Sequence, residues 1–107
     1  MEHINSTYKV NEYVIYDTLH EYGFHKTVND EIVNRFVVCR YNRKPLIFCD
    51  FIYDEEEKQI HIITKDANGN FYSYNKEEYG KSDVVEQINR EIQNRLNIMF
   101  KEGIIRK

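Results

Sequence analysis

At 107 residues, with 41% hydrophobic and 14% aromatic content, the chain has length for one modest core and too little for two. A net charge of −3 argues against a general binder of nucleic acid or membrane surfaces. No apolar run approaches the roughly 18 residues of a membrane span, and the opening MEHINSTYKVNEY lacks the basic-then-apolar order of a signal peptide. A single domain over 1–107 in a reducing cytoplasm is therefore expected.

In chain order, the first predicted element is a helix over 10–22, where Ile15, Leu19 and Tyr22 recur at helical spacing and Gly23 stands where a C-terminal cap belongs. IVNRFVVCRY (32–41) and LIFCDFIY (46–53) are rich in β-branched and aromatic residues and predict two strands, joined around Pro45. The acidic DEEEK (54–58) leads to a third strand, QIHIIT (59–64). Asn68-Gly69 suits a two-residue turn at positive φ, with a fourth strand following at 70–75. The last predicted element is a helix over 84–101. Asp83 and Glu86 read as its cap, Gly103 as its stop, and Val85, Ile88, Ile92, Leu96 and Met99 as one apolar stripe. The expected fold is α+β: a four-stranded antiparallel meander flanked by an N-terminal and a C-terminal helix, in the order α-β-β-β-β-α.

The two cysteines, Cys39 and Cys49, bracket the first hairpin. A three-residue loop at 43–45 would set Val37 opposite Phe51, Cys39 opposite Cys49 and Tyr41 opposite Ile47, giving one face of nearly unbroken apolar character. Without a Cys-x-x-Cys spacing or a histidine paired to either thiol, both read as small buried hydrophobes. No metal and no cofactor are expected. In the same register Phe36, Val38, Phe48 and Ile52 would project from the other face, and would form a partner or homodimer surface if both helices cover the first.

Three constellations carry chemistry elsewhere. DANGNFYSYNKE (66–77) places Asp66, Asn68, Asn70 and Glu77 at calcium-loop positions, but Phe71 stands where that loop needs glycine. Asp50, Glu56 and Lys58 resemble the Asp…Glu-x-Lys set of Mg²⁺-dependent nucleases of the restriction-endonuclease type, compressed in spacing and set in a loop. His3, His20, His25 and His61 are scattered and read as surface histidines.

Arg40, Tyr41, Arg43 and Lys44 form a basic tip with an aromatic ring, as a nucleic-acid hairpin requires. The helix–meander–helix order resembles the double-stranded-RNA-binding domain in topology, although GKSDVVEQ replaces that family's basic helix opening with acids. In size, acidity and composition (one Ala, one Pro, abundant Asn, Ile, Lys, Glu and Tyr) the chain is similar to small phage or mobile-element inhibitors of host machinery, including anti-CRISPR proteins. The expected function is a non-catalytic protein-binding module. It would occlude a host or cognate protein through Asp54, Glu55, Glu56 and Glu57, with Tyr53, Tyr72 and Tyr74 as anchors. The alternatives are nucleic-acid binding at 40–44 and, third, a Mg²⁺-dependent nuclease.

Overall fold

The computed structural model describes residues 4–72 and 83–106. Its elements run β1 (Ser6–Val10), α1 (Tyr16–Glu21), β2 (His25–Lys26), β3 (Ile32–Tyr41), β4 (Lys44–Asp54), β5 (Gln59–Asp66), α2 (Asp83–Lys101) and β6 (Ile105–Arg106). The strands form one antiparallel sheet of six, in the order β2-β3-β4-β5-β1-β6. The expected four-stranded meander with flanking helices is thus corrected. The general α+β character stands, and three strands are added.

Each difference has a local cause. The chain ahead of the expected helix alternates in burial over Ser6–Val10 and pairs with β5, and of the helix expected over 10–22 only Tyr16–Glu21 is helical. Ile15, expected on the helix stripe, is its N-cap and 60% exposed. Of the expected fourth strand, Phe71 bridges to Lys65, and 73–75 lies outside the described residues. Asp66 reshapes the turn before it. Its carboxylate accepts the Asn68 and Asn70 amides, so the chain turns through a three-residue loop, with Gly69 alone at positive φ (86°) and the Asp66 N–H on the Asn70 carbonyl.

Both helices end in the same way. Gly23 (φ 98°) and Gly103 (φ 76°) donate to the His20 and Phe100 carbonyls, while the next residues, Phe24 and Ile104, donate to Leu19 and Met99. These are paired Schellman bonds, and the bracketing apolar residues Leu19, Phe24, Met99 and Ile104 are all buried. At Gly23 a methyl group would also come within 3.2 Å of Asn34 Oδ1. That amide cannot swing away freely, because its Nδ2 donates to the Tyr22 carbonyl. Gly23→Ala is therefore expected to destabilise by about 1–3 kcal/mol, read by urea unfolding; a neutral result would remove the close approach from the account.

The β3–β4 hairpin corrects the register. The chain turns at Asn42-Arg43, both left-handed (φ 50° and 69°), rather than at 43–45. Phe36 then faces Cys49, Val37 faces Phe48 and Cys39 faces Ile47. The shift is odd, so most of β3 turns over: Ile32, Asn34 and Phe36 join Cys49, Phe51 and Tyr53 on one face. Val38 drops out of pairing as a bulge, which returns Cys39 to that face. Phe36 and Val38, expected on a free patch, are instead 8% and 1% exposed.

One core follows. The stripe Val85, Ile88, Ile92, Leu96 and Met99 of α2 packs over this face, and Leu19, Phe24 and Val14 close the end beyond α1. Phe51 sits at its centre, wholly buried, edge-on to Phe36 at 5.0 Å between ring centroids. No described helix is long and apolar enough to cross a membrane.

Candidate binding surface

Because both helices pack on one side, no described element lies over the other side of the sheet. Strand alternation assigns to it Val33, Arg35 and Val37 of β3, Phe48, Asp50 and Ile52 of β4, and His61, Ile63 and Lys65 of β5. At its centre the Asp50 carboxylate, only 5% exposed, receives Arg35 Nε and a terminal guanidinium nitrogen at 2.7 and 2.9 Å. Lys65 Nζ stands 3.7 Å from its second oxygen. The forked contact holds the Arg35 guanidinium above its usual pKa through the hydrogen bond and charge of Asp50. Arg35 remains more than half exposed, so two cations on one carboxylate leave a net positive centre facing outward.

Apolar side chains ring this centre. Val37, Phe48 and Ile52 are half-buried, while Val33 and Ile63 are nearly covered by their neighbours. Lys65 also lies over the Phe71 ring, 5.4 Å from its centroid. Beside them a concavity of about 360 Å³ is bounded by Arg35, Phe48, Lys65 and the 66–69 turn. Toward the other end of the strands, Thr7 Oγ1 and His61 Nδ1 share a hydrogen bond of 2.9 Å, and His61 Nε2 is 3.9 Å from Asp54.

The expected partner residues distribute unevenly. Asp54 serves its own turn by accepting the Glu56 and Glu57 amides, which holds Glu55, Glu56 and Glu57 out in solvent. Tyr53 is 8% exposed and packs within the core. Tyr72 is half-buried against the core and tied to Thr64 by backbone and side-chain bonds. Tyr74 lies outside the described residues. At the hairpin tip Arg40, Tyr41, Arg43 and Lys44 are all exposed, with Tyr41 at 68%.

The nuclease-like set does not assemble. Asp50 lies mid-strand, committed to Arg35 and Lys65, whereas Glu56 and Lys58 lie in the turn beyond Asp54. Lys58 Nζ donates instead to the Glu12 carbonyl. Among the described residues no three His, Cys, Asp or Glu side chains gather in a metal-holding group.

Cys39 and Cys49 are free and buried, and burial pushes both thiols up, Cys49 far above its ordinary value. Both should resist a thiol reagent at about pH 8 in the folded protein and react on unfolding; rapid native labelling of either would contradict their burial.

Of the calcium-loop positions, Glu77 lies outside the described residues, and the Asp66 carboxylate is engaged by its own turn. Hydrogen bonds from the Asn70 and Asn68 amides hold its pKa below the usual range. The carboxylate therefore supports the fold above its unfolded pKa, and this support is lost as pH falls through the lower folded value. Asp66→Asn should flatten the acid side of a melting-temperature profile between about pH 5 and 2; an unchanged profile would remove Asp66 from the acid response.

Sequence reasoning missed Val33, Arg35, Val37, Ile63 and Lys65 on this face. A signal was present, because the pairing that gives Asp50 an opposing cation is the one the chain adopts.

An antiparallel sheet with a long helix on one face, and a charged and apolar second face over which no described element lies, defines the molecule as an α+β fold. No family model matches the chain, and no curated protein matches it. The fold is similar to the crystal structure of a DUF1831-family protein from Lactobacillus plantarum, with a TM-score of 0.69, 13% identity, and coverage of 99% of this chain and 97% of that one. At that identity the likeness is one of fold.

Proposed function

We propose that the chain is a non-catalytic protein-binding module, and that a partner protein docks on the open sheet face. The observation that carries this reading is the one-sided packing of the helices, which leaves Val37, Phe48 and Ile52 around an outward-facing Arg35–Asp50–Lys65 centre. Half-buried apolar groups around an arginine held in place by a buried carboxylate match the composition of interface cores. The expected acidic turn becomes the rim of this surface, with Glu55–Glu57 at one end of the strands and the basic tip at the other. A cytoplasmic setting, in which both thiols stay reduced, suits the reading. Inhibition of host machinery in the manner of phage proteins is its narrower form, and it rests on composition alone.

The test is a tagged pull-down with and without nuclease, comparing wild type with Phe48→Asp/Ile52→Asp. A protein held at stoichiometric level after nuclease, and lost in the variant at unchanged melting temperature, supports the proposal. A second copy held through this face would appear instead as a dimer by light scattering. Capture indifferent to the variant overturns it.

One observation favours a second reading: Tyr41, Arg40, Arg43 and Lys44 are all exposed at one tip, with Lys65 and Phe71 at the same end of the sheet. Nucleic-acid binding there would fall steeply with salt and disappear in Arg43→Glu/Lys44→Glu.

A further inference from the structure

The outer edge of β1 is paired over only part of its length. β6 takes Lys9 and Val10, through Arg106 and Ile105, and among the described residues no strand pairs with the outer edge of Ser6, Thr7 and Tyr8. Backbone bonds fix which groups face outward. The Val10 amide donates inward to the Lys58 carbonyl of the turn before β5, and the Asn11 amide donates outward to Ile104. Alternation then turns the N–H and C=O of Thr7 and Lys9 outward, and Lys9 meets Arg106. Among the described residues no strand pairs with the Thr7 groups.

A concavity of about 440 Å³ runs along this edge and is lined from both sides of the sheet, by Tyr8, Gln93 and Phe100 on the helix side and by Thr7, Lys9 and Arg106. Tyr8 and Phe100 meet edge to face at 5.6 Å, forming an aromatic wall. Lys9 and Arg106 are directly opposed across neighbouring strands, an arrangement of like charges that is unfavourable until an anion lies between them. Both are exposed.

We propose that this edge binds an extended acidic peptide segment of a partner protein as an added strand in line with β6. The Thr7 backbone supplies the ladder bonds. Side chains of an added strand alternate between the two sides of the sheet. Apolar residues therefore fall against Tyr8 and Phe100, while carboxylates fall toward Lys9 and Arg106. The ligand is thus an alternation of apolar and acidic residues. This site is separate from the open sheet face and does not depend on it.

The test begins with a phage-displayed library of random linear peptides of about a dozen residues, selected on the immobilised full chain. Enriched sequences are then made as fluorescein-labelled peptides and titrated by anisotropy. Thr7→Pro removes the outward N–H, a change an edge strand tolerates. Thr7→Val keeps that N–H and removes only the hydroxyl held by His61. The selected peptides should alternate apolar and acidic residues, bind Thr7→Val within about twofold of wild type, and bind Thr7→Pro at least about tenfold more weakly. Lys9→Glu/Arg106→Glu should weaken them to a similar degree, and this decides the matter should Thr7→Pro fail to fold. Ile52→Asp on the open face should leave peptide binding intact, which separates this site from the docking face. No enrichment, or binding untouched by Thr7→Pro, overturns the added strand; binding that ignores the charge reversal overturns the acidic ligand.

Discussion

Phe51→Ala is expected to lower the unfolding free energy by about 3–5 kcal/mol, the largest loss from any single truncation in the chain. The ring is wholly buried in the longest strand, with Phe36 edge-on beside it and α2 across it. Truncation therefore removes both its transfer free energy and its packing contacts, and the fixed strands on either side prevent collapse of the void. Small domains are stable by about 5–15 kcal/mol, so the variant should be partly unfolded well below the wild-type transition. Phe48, the neighbouring aromatic on the open face, supplies the control: half-buried, it should cost only about 1 kcal/mol as alanine. Urea midpoints shifting at constant slope would separate the two. Equal losses would mean that the open face is covered as fully as the core.

Arg35→Ala is expected to cost about 2–3 kcal/mol, more than the exposure of the arginine alone suggests. A surface ion pair is worth about 0–1 kcal/mol. Here, however, the partner carboxylate is 5% exposed and loses both hydrogen bonds from Arg35, leaving Lys65 at 3.7 Å among the described residues. The penalty belongs to the stranded Asp50. Asp50→Asn in the Arg35→Ala background should therefore recover part of the loss, because a neutral amide tolerates the site better than an unpaired charge. A double-mutant cycle in urea gives the coupling directly, and additivity within about 0.5 kcal/mol would show the pair to be independent.

How legible all this was depends on how local each signal is. The α2 stripe from Val85 to Met99 and the glycine stops of both helices were readable, because helical spacing and left-handed caps are written within a few residues. So were the three central strands, whose β-branched runs pair with sequence neighbours. β1 was not, since five residues carry too short an alternation to stand out as a strand, and its partners lie far along the chain. The hairpin register failed on Pro45. Proline marks turns, yet here it sits within β4, because left-handed Asn42 and Arg43 already reverse the chain. That single displacement exchanged the residues of β3 between the faces, so Phe36 and Val38 moved to the core and Arg35 came out to meet Asp50. The candidate surface was thus foreseen in kind, as the face left over by two helices on one side, but only its β4 members were placed correctly.

The position of β1 between β5 and β6 also bears on how the molecule opens. Strands β3 to β5 are joined by tight turns, so their pairing closes short loops. Contacts of β1 close much longer ones: Asn5 bonds Thr64 across 59 positions, and the Asn11 side chain bonds Gly103 across 92. Long closures form late and are the first to be given up. The β1–β6 margin should therefore behave as a separate foldon, its amides exchanging with deuterium through partial opening while those of β4 wait for global unfolding.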